Sequence, residues 1–233
     1  MNVESTSNRP PMPETPWDAI GSRVRESVFV EDQTFLIERP AESDKLLDHP
    51  AVHSAFAVDE FMPYWADLWP AARMLAKVLM REGWPPGLRT LEVGCGLGLP
   101  GVVALSRGLH VTFSDYDATA LRFAADNARL NGFDHFELLQ MDWRYPPADR
   151  LFPLILASDL IYEMRNVAPL VALVKHLLAP GGECLLTDQD RVPSYVLRET
   201  LTDEGLPFTT QTLRAGEPGG RRLKGTLYRI RRP

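Results

Sequence analysis

A chain of 233 residues, 45% hydrophobic and with a formal net charge of −6, accommodates one sizeable domain plus a small appendage around a buried core. No apolar run approaches the roughly 18 residues of a membrane span, so no membrane association is expected. Two cysteines, Cys95 and Cys184, are too few for a disulfide framework, which makes the cytoplasm the default location; five histidines without metal spacing give no metal site. The charge is uneven. Residues 214–233 hold seven Lys or Arg against Glu217 alone, leaving 18 basic and 30 acidic residues before them. A solvated final strand is the plainer explanation. A contact for an acidic partner or nucleic acid is the sharper one, and no nucleic-acid motif supports the latter.

In chain order, Met1–Pro16 is polar and rich in proline, without the basic start and apolar centre of a signal peptide. It reads as a disordered lead over 1–17. Residues 27–38 read as a hairpin turning at Glu31-Asp32, and 40–62 as irregular, so that 18–62 forms an N-terminal extension. Pro70 suits the first position of a helix carrying Ala72, Leu75, Ala76 and Leu79 at helical spacing, stopped by Gly83. The chain then alternates. Strands are expected at Leu88–Val93, His110–Ser114, Phe136–Gln140, Leu154–Ser158 and Glu183–Thr187. Helices are expected from Leu99, after an Asp117 cap, over Val167–Leu178 and from Pro193, with Asn131-Gly132 and Pro180-Gly-Gly182 as stops. Two late strands fall near 208–213 and 223–231. This alternation predicts an α/β domain over 63–233, with a mostly parallel sheet covered by helices on both faces. Ligands of such sheets bind beyond the carboxyl ends of the central strands.

The densest signal is Thr90-Leu-Glu-Val-Gly-Cys-Gly-Leu-Gly-Leu-Pro-Gly101. An apolar strand leads into Glu92, and four glycines then crowd one turn, letting a ligand lie against bare main chain where a helix begins. Two cofactors fit. Gly96-x-Gly98-x-x-Gly101, with Asp115 following 19 residues after Gly96, matches the dinucleotide fingerprint and an NAD-linked oxidoreductase. Glu92-x-Gly94-x-Gly96-x-Gly98 suits S-adenosylmethionine, which lacks a pyrophosphate and needs room for a zwitterionic amino-acid tail. No second mononucleotide-binding half is evident after the third strand, which favours S-adenosylmethionine.

Three further segments carry a family resemblance. Leu177-Leu-Ala-Pro-Gly-Gly182 resembles the helix end common to class I methyltransferases. Pro63-Tyr-Trp-Ala-Asp-Leu-Trp-Pro-Ala71 resembles the Trp-Pro element ahead of the cofactor turn in the seven-β-strand protein methyltransferases. Ile155-Leu-Ala-Ser-Asp-Leu-Ile-Tyr-Glu163 resembles that group's Asp-x-x-Tyr/Phe motif, and Leu46-Leu-Asp adds weaker support. The group includes the lysine methyltransferase of electron-transfer flavoprotein β and relatives acting on chaperones, calmodulin and histones. The resemblance, over roughly residues 63–230, implies a Rossmann-like seven-stranded sheet with an antiparallel last strand. It also implies S-adenosylmethionine as cofactor with S-adenosylhomocysteine as product, a protein side chain as acceptor with lysine favoured, and a monomer. The group is allied to small-molecule methyltransferases, so a small-molecule N- or O-methyltransferase stays open. A non-catalytic cofactor-binding scaffold is the reading from a different class.

Asp115 offers two carboxylate oxygens to the two ribose hydroxyls, whereas Asp117 lies where a helix cap belongs. Asp142 and Trp143, after the third strand, suit an adenine amino group and an adenine ring. The resemblance adds Trp69 and Ser158 to the cofactor set, with core packing as the plainer role for Trp69. Tyr64 and Trp65 read as packing or substrate-side residues. Glu92, the lone acid of an apolar strand, needs buried partners and reads as an organiser of the pocket. Asp159 and Tyr162 stand at the end of the fourth strand as the catalytic pair, Asp159 orienting an amine and Tyr162 flanking it. A lysine ammonium, with an ordinary pKa of about 10.4, must first lose a proton. Positioning and desolvation can then supply much of the rate. The run Asp188-Gln-Asp190-Arg191 faces the same rim, as substrate contact or solvated loop.

Overall fold

A computed structural model describes residues 12, 14–16, 19–216 and 222–233. Most of the polar lead, expected to be disordered, lies outside these residues. Where it is described it is anchored, because Thr15 is buried and its N–H donates to Asp117 Oδ1 at 3.0 Å. The hairpin is longer than its alternation suggests, with β1 spanning Arg23–Val30 and β2 Gln33–Pro40. It turns through Glu31 at φ 54°. Val28, Val30, Phe35 and Ile37 point inward and are buried.

The stretch expected to be irregular is largely helical. A 3-10 turn at Ser43–Asp48 leads into α1, Pro50–Asp59. His49 caps α1 by accepting from the Ala51 N–H at 3.2 Å, and Pro50 occupies its first turn. The apolar residues of α1 ring the helix instead of lining one side. Only Val52 is buried while Phe56 and Val58 are exposed, so no one-sided pattern reveals it.

Beyond it run α2 (Pro70–Arg81), β3 (Arg89–Val93), α3 (Leu99–Ser106), β4 (His110–Asp115), α4 (Ala118–Leu130) and β5 (Glu137–Gln140). Then follow β6 (Phe152–Ser158), α5 (Val167–Leu177), β7 (Leu178–Asp188), α6 (Pro193–Asp203), β8 (Phe208–Ala215) and β9 (Leu223–Arg231). The sheet order is β5-β4-β3-β6-β7-β9-β8. β3 to β7 pair in parallel, and β9 inserts between β7 and β8, antiparallel to both. The last strand is thus antiparallel, as expected, but it is internal to the sheet. Pro180-Gly-Gly182 does not separate α5 from a strand beginning at Glu183. β7 already starts at Leu178, paired with Phe152 across a register shift.

Strand periodicity divides the core. Leu154 and Leu156 of β6 face the layer of α2, α3, α4 and the hairpin, while Ile155 and Ala157 face the layer of α5 and α6. The hairpin is fastened to α4 by two amides. Asn131 exchanges hydrogen bonds with the Leu36 main chain at 2.9 and 2.8 Å, and Asn127 with that of Glu38 at 2.7 and 3.1 Å. These side chains satisfy a strand edge that would otherwise be open. Chain order reverses between β3 and β6, which leaves a crevice at their carboxyl ends.

Candidate active site

The chain leaves β3 at Val93 and turns at Gly94, whose φ of 57° favours glycine and whose Cβ would lie 2.5 Å from Leu160 Cδ2. Gly101, inside α3, approaches the Phe113 ring and the Glu92 carboxylate so closely that a methyl group would collide with both. Glu92 is buried, and its Oε2 accepts the Gly101 N–H at 2.9 Å. Its Oε1 has no partner among the described residues. Burial pushes its pKa well above the usual carboxylate range, against the Gly101 bond. Glu92 therefore braces the turn from beneath. It does not stand at the cavity wall, where a cofactor contact is expected.

That cavity measures about 680 Å³ and opens at the carboxyl ends of β3, β4 and β6. Gly94, Gly96, Gly98, Asp115, Asp142 and Trp143 line it, as do Trp69, Ser158, Asp159 and Tyr162. Every expected site residue except Glu92 is thus brought to one space. Asp115 Oδ2 accepts the Gly96 N–H at 2.8 Å and Oδ1 the Asp117 N–H at 3.0 Å. Burial, outweighing these bonds, pushes its pKa up to about 6. Its oxygens retain lone pairs for further donors. Asp117 is the helix cap, accepting the Thr119 N–H at 2.8 Å beside Thr15.

At the adenine end expected from sequence, Asp142 is already engaged. Arg144 donates to it through Nε at 2.8 Å and Nη2 at 2.7 Å. The same guanidinium reaches both oxygens of Asp59 at 2.8 and 2.7 Å and the Tyr116 hydroxyl at 3.2 Å. Hydrogen bonding from Arg144 holds the Asp59 carboxyl below its ordinary pKa, against desolvation. The network pins the end of α1 over the cavity. Sequence reasoning missed Arg144 and Asp59, which lie far apart in the chain. The only local cue is the position of Arg144 two residues after Asp142.

At the other end Asp159 sits at φ 59°, an uncommon conformation for a residue with a side chain, and is buried. Gln189 Nε2 donates to its Oδ2 at 2.7 Å and Arg191 Nη2 to its Oδ1. Burial pushes its pKa up, and the Arg191 charge opposes that shift. Arg191 also reaches Asp188 Oδ1 at 3.3 Å, so the run after β7 does face this rim. Tyr162 stands edge-on to Tyr64 at 5.0 Å between centroids, and Tyr64 to Trp69 at 6.1 Å. Trp69 Nε1 donates to the Tyr64 carbonyl at 2.7 Å. Burial pushes the Tyr162 phenol up to about 12, so it stays protonated at neutral pH and is no base. Trp65 is buried, its ring 5.2 Å from that of Phe123, and it also lines the cavity.

The basic tail has internal uses. Arg229 pairs with Glu183 at 3.1 Å and with Glu82, Arg231 pairs with Glu183 at 3.3 Å, and Arg232 donates to the Leu178 carbonyl at 2.6 Å. Arg221 lies outside the described residues. Among the described residues no cluster suits a metal, and no helix is long and apolar enough to cross a membrane.

A family model described as lysine methyltransferase matches residues 64–199. The histidine protein methyltransferase 1 homolog of Dictyostelium discoideum is 33% identical over 111 residues, 44% of this chain and 35% of that protein. The human histone-arginine methyltransferase METTL23 is 29% identical over 122 residues, 48% of this chain and 62% of that protein. The matches therefore span 35% and 62% of the length of these relatives. Among solved structures, the N-methyltransferase NodS from Bradyrhizobium japonicum WM9 with S-adenosyl-L-homocysteine superposes with a TM-score of 0.57 at 20% identity, covering 78% of this chain and 97% of that one. At that identity the likeness is one of fold.

Proposed function

The chain belongs to the lysine methyltransferase family, and from that premise we propose that it methylates a nitrogen of a protein side chain with S-adenosylmethionine as donor, lysine being the favoured acceptor. The observation that carries this reading is the cation already seated on Asp159. A buried carboxylate that holds the Arg191 guanidinium at the cavity rim is matched to a cationic side chain from a partner. The turn at Gly94–Gly98 offers bare main chain to the amino-acid tail of the cofactor, and Asp115 offers its carboxylate to the ribose. Trp143 and Asp142 surround the base, with Arg144 giving up part of its hold on Asp142. When bound, S-adenosylmethionine supplies an electrophilic methyl group on its sulfonium. Asp159 orients the acceptor through an N–H donated to its carboxylate. The entering ammonium gives up one proton to solvent, and Tyr162, Tyr64 and Trp69 then exclude water around the neutral nitrogen, which opposes the return of that proton. Two buried free thiols, Cys95 and Cys184, agree with a cytoplasmic location. The cavity is built from one chain, so a monomer suffices.

The test is incubation with labelled S-adenosylmethionine and fractionated lysate, followed by mapping of the labelled residue. Label on a protein lysine supports the reading. Label on histidine or arginine, the residues named in the relatives' descriptions, would correct the acceptor. Label confined to the low-mass fraction would make it a small-molecule enzyme, and cofactor binding without any label would make it a scaffold. Asp115→Ala is expected to weaken S-adenosylhomocysteine binding. Asp159→Ala is expected to spare that binding and abolish transfer. Equal loss of binding in both would refute this division of roles.

A further inference from the structure

A second hollow, of about 570 Å³, lies beside the first and shares Arg191 with it. Its floor is the β8–β9 pair, where Thr210, Thr212, Thr226 and Lys224 line it, and Arg214, opposite Lys224 in the pair, stands at the end of that row. Its wall is the start of α6 with Tyr195 and Arg198, and its rim the 190–192 loop with Val192. Two features of this groove are not used by the fold. Arg214 and Lys224 are like charges directly opposite each other in an antiparallel pair, an arrangement that costs stability, and among the described residues neither has an acid within ion-pair distance. Val192 and Tyr195 are 81% and 68% exposed at the edge of the groove.

We propose that this groove binds an acidic segment of the protein substrate next to the residue that enters the first cavity. The inference rests on the protein-methylation reading above. Lys224, Arg214 and Arg198 would meet the carboxylates, and Val192 with the Tyr195 ring would cover an adjoining apolar side chain. Arg198 can turn outward, because its side-chain contacts among the described residues are the Tyr228 hydroxyl at 3.2 Å and ring at 5.6 Å. A peptide fits this charge pattern better than nucleic acid does. Asp190 lies in the groove, and Asp59, Glu60 and Glu163, though paired with Arg144 and Arg165, belong to a neighbouring cavity lining in which carboxylates outnumber guanidiniums, a balance that opposes a phosphate backbone and suits a cationic target side chain. Net charge alone hides this, because the groove is a cationic strip on an acidic protein.

The experiment uses the full chain saturated with S-adenosylhomocysteine and two fluorescent peptides. Each has one lysine, flanked by glutamates in one and by glutamines in the other. Anisotropy is expected to show the glutamate peptide binding roughly fivefold to tenfold tighter, with the gap closing as salt rises. Arg214→Glu combined with Lys224→Glu, at two exposed positions, is expected to abolish or reverse that preference and leave S-adenosylhomocysteine binding unchanged. Equal affinity for the two peptides, a preference that survives the double reversal, or tighter binding of single-stranded RNA at the same sites would overturn the proposal. Binding is read without methyl transfer, so the two ideas fail separately. A glutamate preference with all lysate label in small molecules would retain the groove and remove the protein acceptor. Labelled protein without a glutamate preference would do the opposite.

Discussion

Cofactor affinity is expected to depend on pH through Asp115. In the ligand-free chain burial raises this carboxyl from an ordinary 3.8 to about 6. Ribose hydroxyls donate to the ionised form, so binding should return its pKa toward the ordinary carboxylate range and expel a proton. The sign follows. Below the raised pKa the site must deprotonate to bind, so affinity rises with pH and levels off once Asp115 is already ionised. With a free pKa of about 6 and a bound value near 4, affinity should gain about tenfold between roughly pH 5 and pH 8. The same shift makes ionised Asp115 a cost to the ligand-free fold. That cost appears as pH rises through the ordinary value, is complete above about 6, and amounts to at most about 3 kcal/mol. Calorimetry with S-adenosylhomocysteine, in two buffers of different ionisation enthalpy, reads both affinity and protons. Close to one proton should leave per binding event near the acid end. Asp115→Asn should bind more weakly with a flatter profile. An affinity independent of pH, or an Asn variant with the wild-type slope, would refute the reasoning.

Three other substitutions probe the supports of the site. Gly101→Ala drives a methyl into Phe113 and Glu92 and should cost about 1–3 kcal/mol in a urea titration; a smaller loss would mean that the turn relaxes freely. Asn127→Ala leaves the Glu38 main chain and the Leu97 carbonyl without their amide partner and should cost about 2–3 kcal/mol. An unchanged midpoint would show that the Asn127 amide is not a fastener of the hairpin. Arg144→Ala unpins α1 from Asp142, so hydrogen exchange over 50–62 should quicken while that of α4 stays as it was. Equal exchange in both proteins would remove Arg144 as a restraint on α1.

Local rules carried most of the fold. Pro70, Asp117, Asn131-Gly132 and Pro193 punctuate the chain through backbone geometry that each residue imposes by itself, so the starts of α2, α4 and α6 were legible. Short apolar runs bounded by turn residues located the seven strands of the sheet, apart from the early start of β7, and the glycines marked the cofactor turn. The α1 helix was not legible, because its apolar residues form no stripe and its end is held by Arg144, Tyr116 and Arg165, all more than fifty residues away. The burial of Thr15 against Asp117 was hidden for the same reason, since a cap that recruits a distant main chain leaves no local pattern. Sequence by itself determined which residue types stand at the strand ends, because strand alternation and turn chemistry are properties of neighbours. Tertiary structure alone decided what each one does there. It set Glu92 under the turn, gave Asp142 to Arg144 and seated Arg191 on Asp159, because burial and charge pairing depend on what the fold brings near.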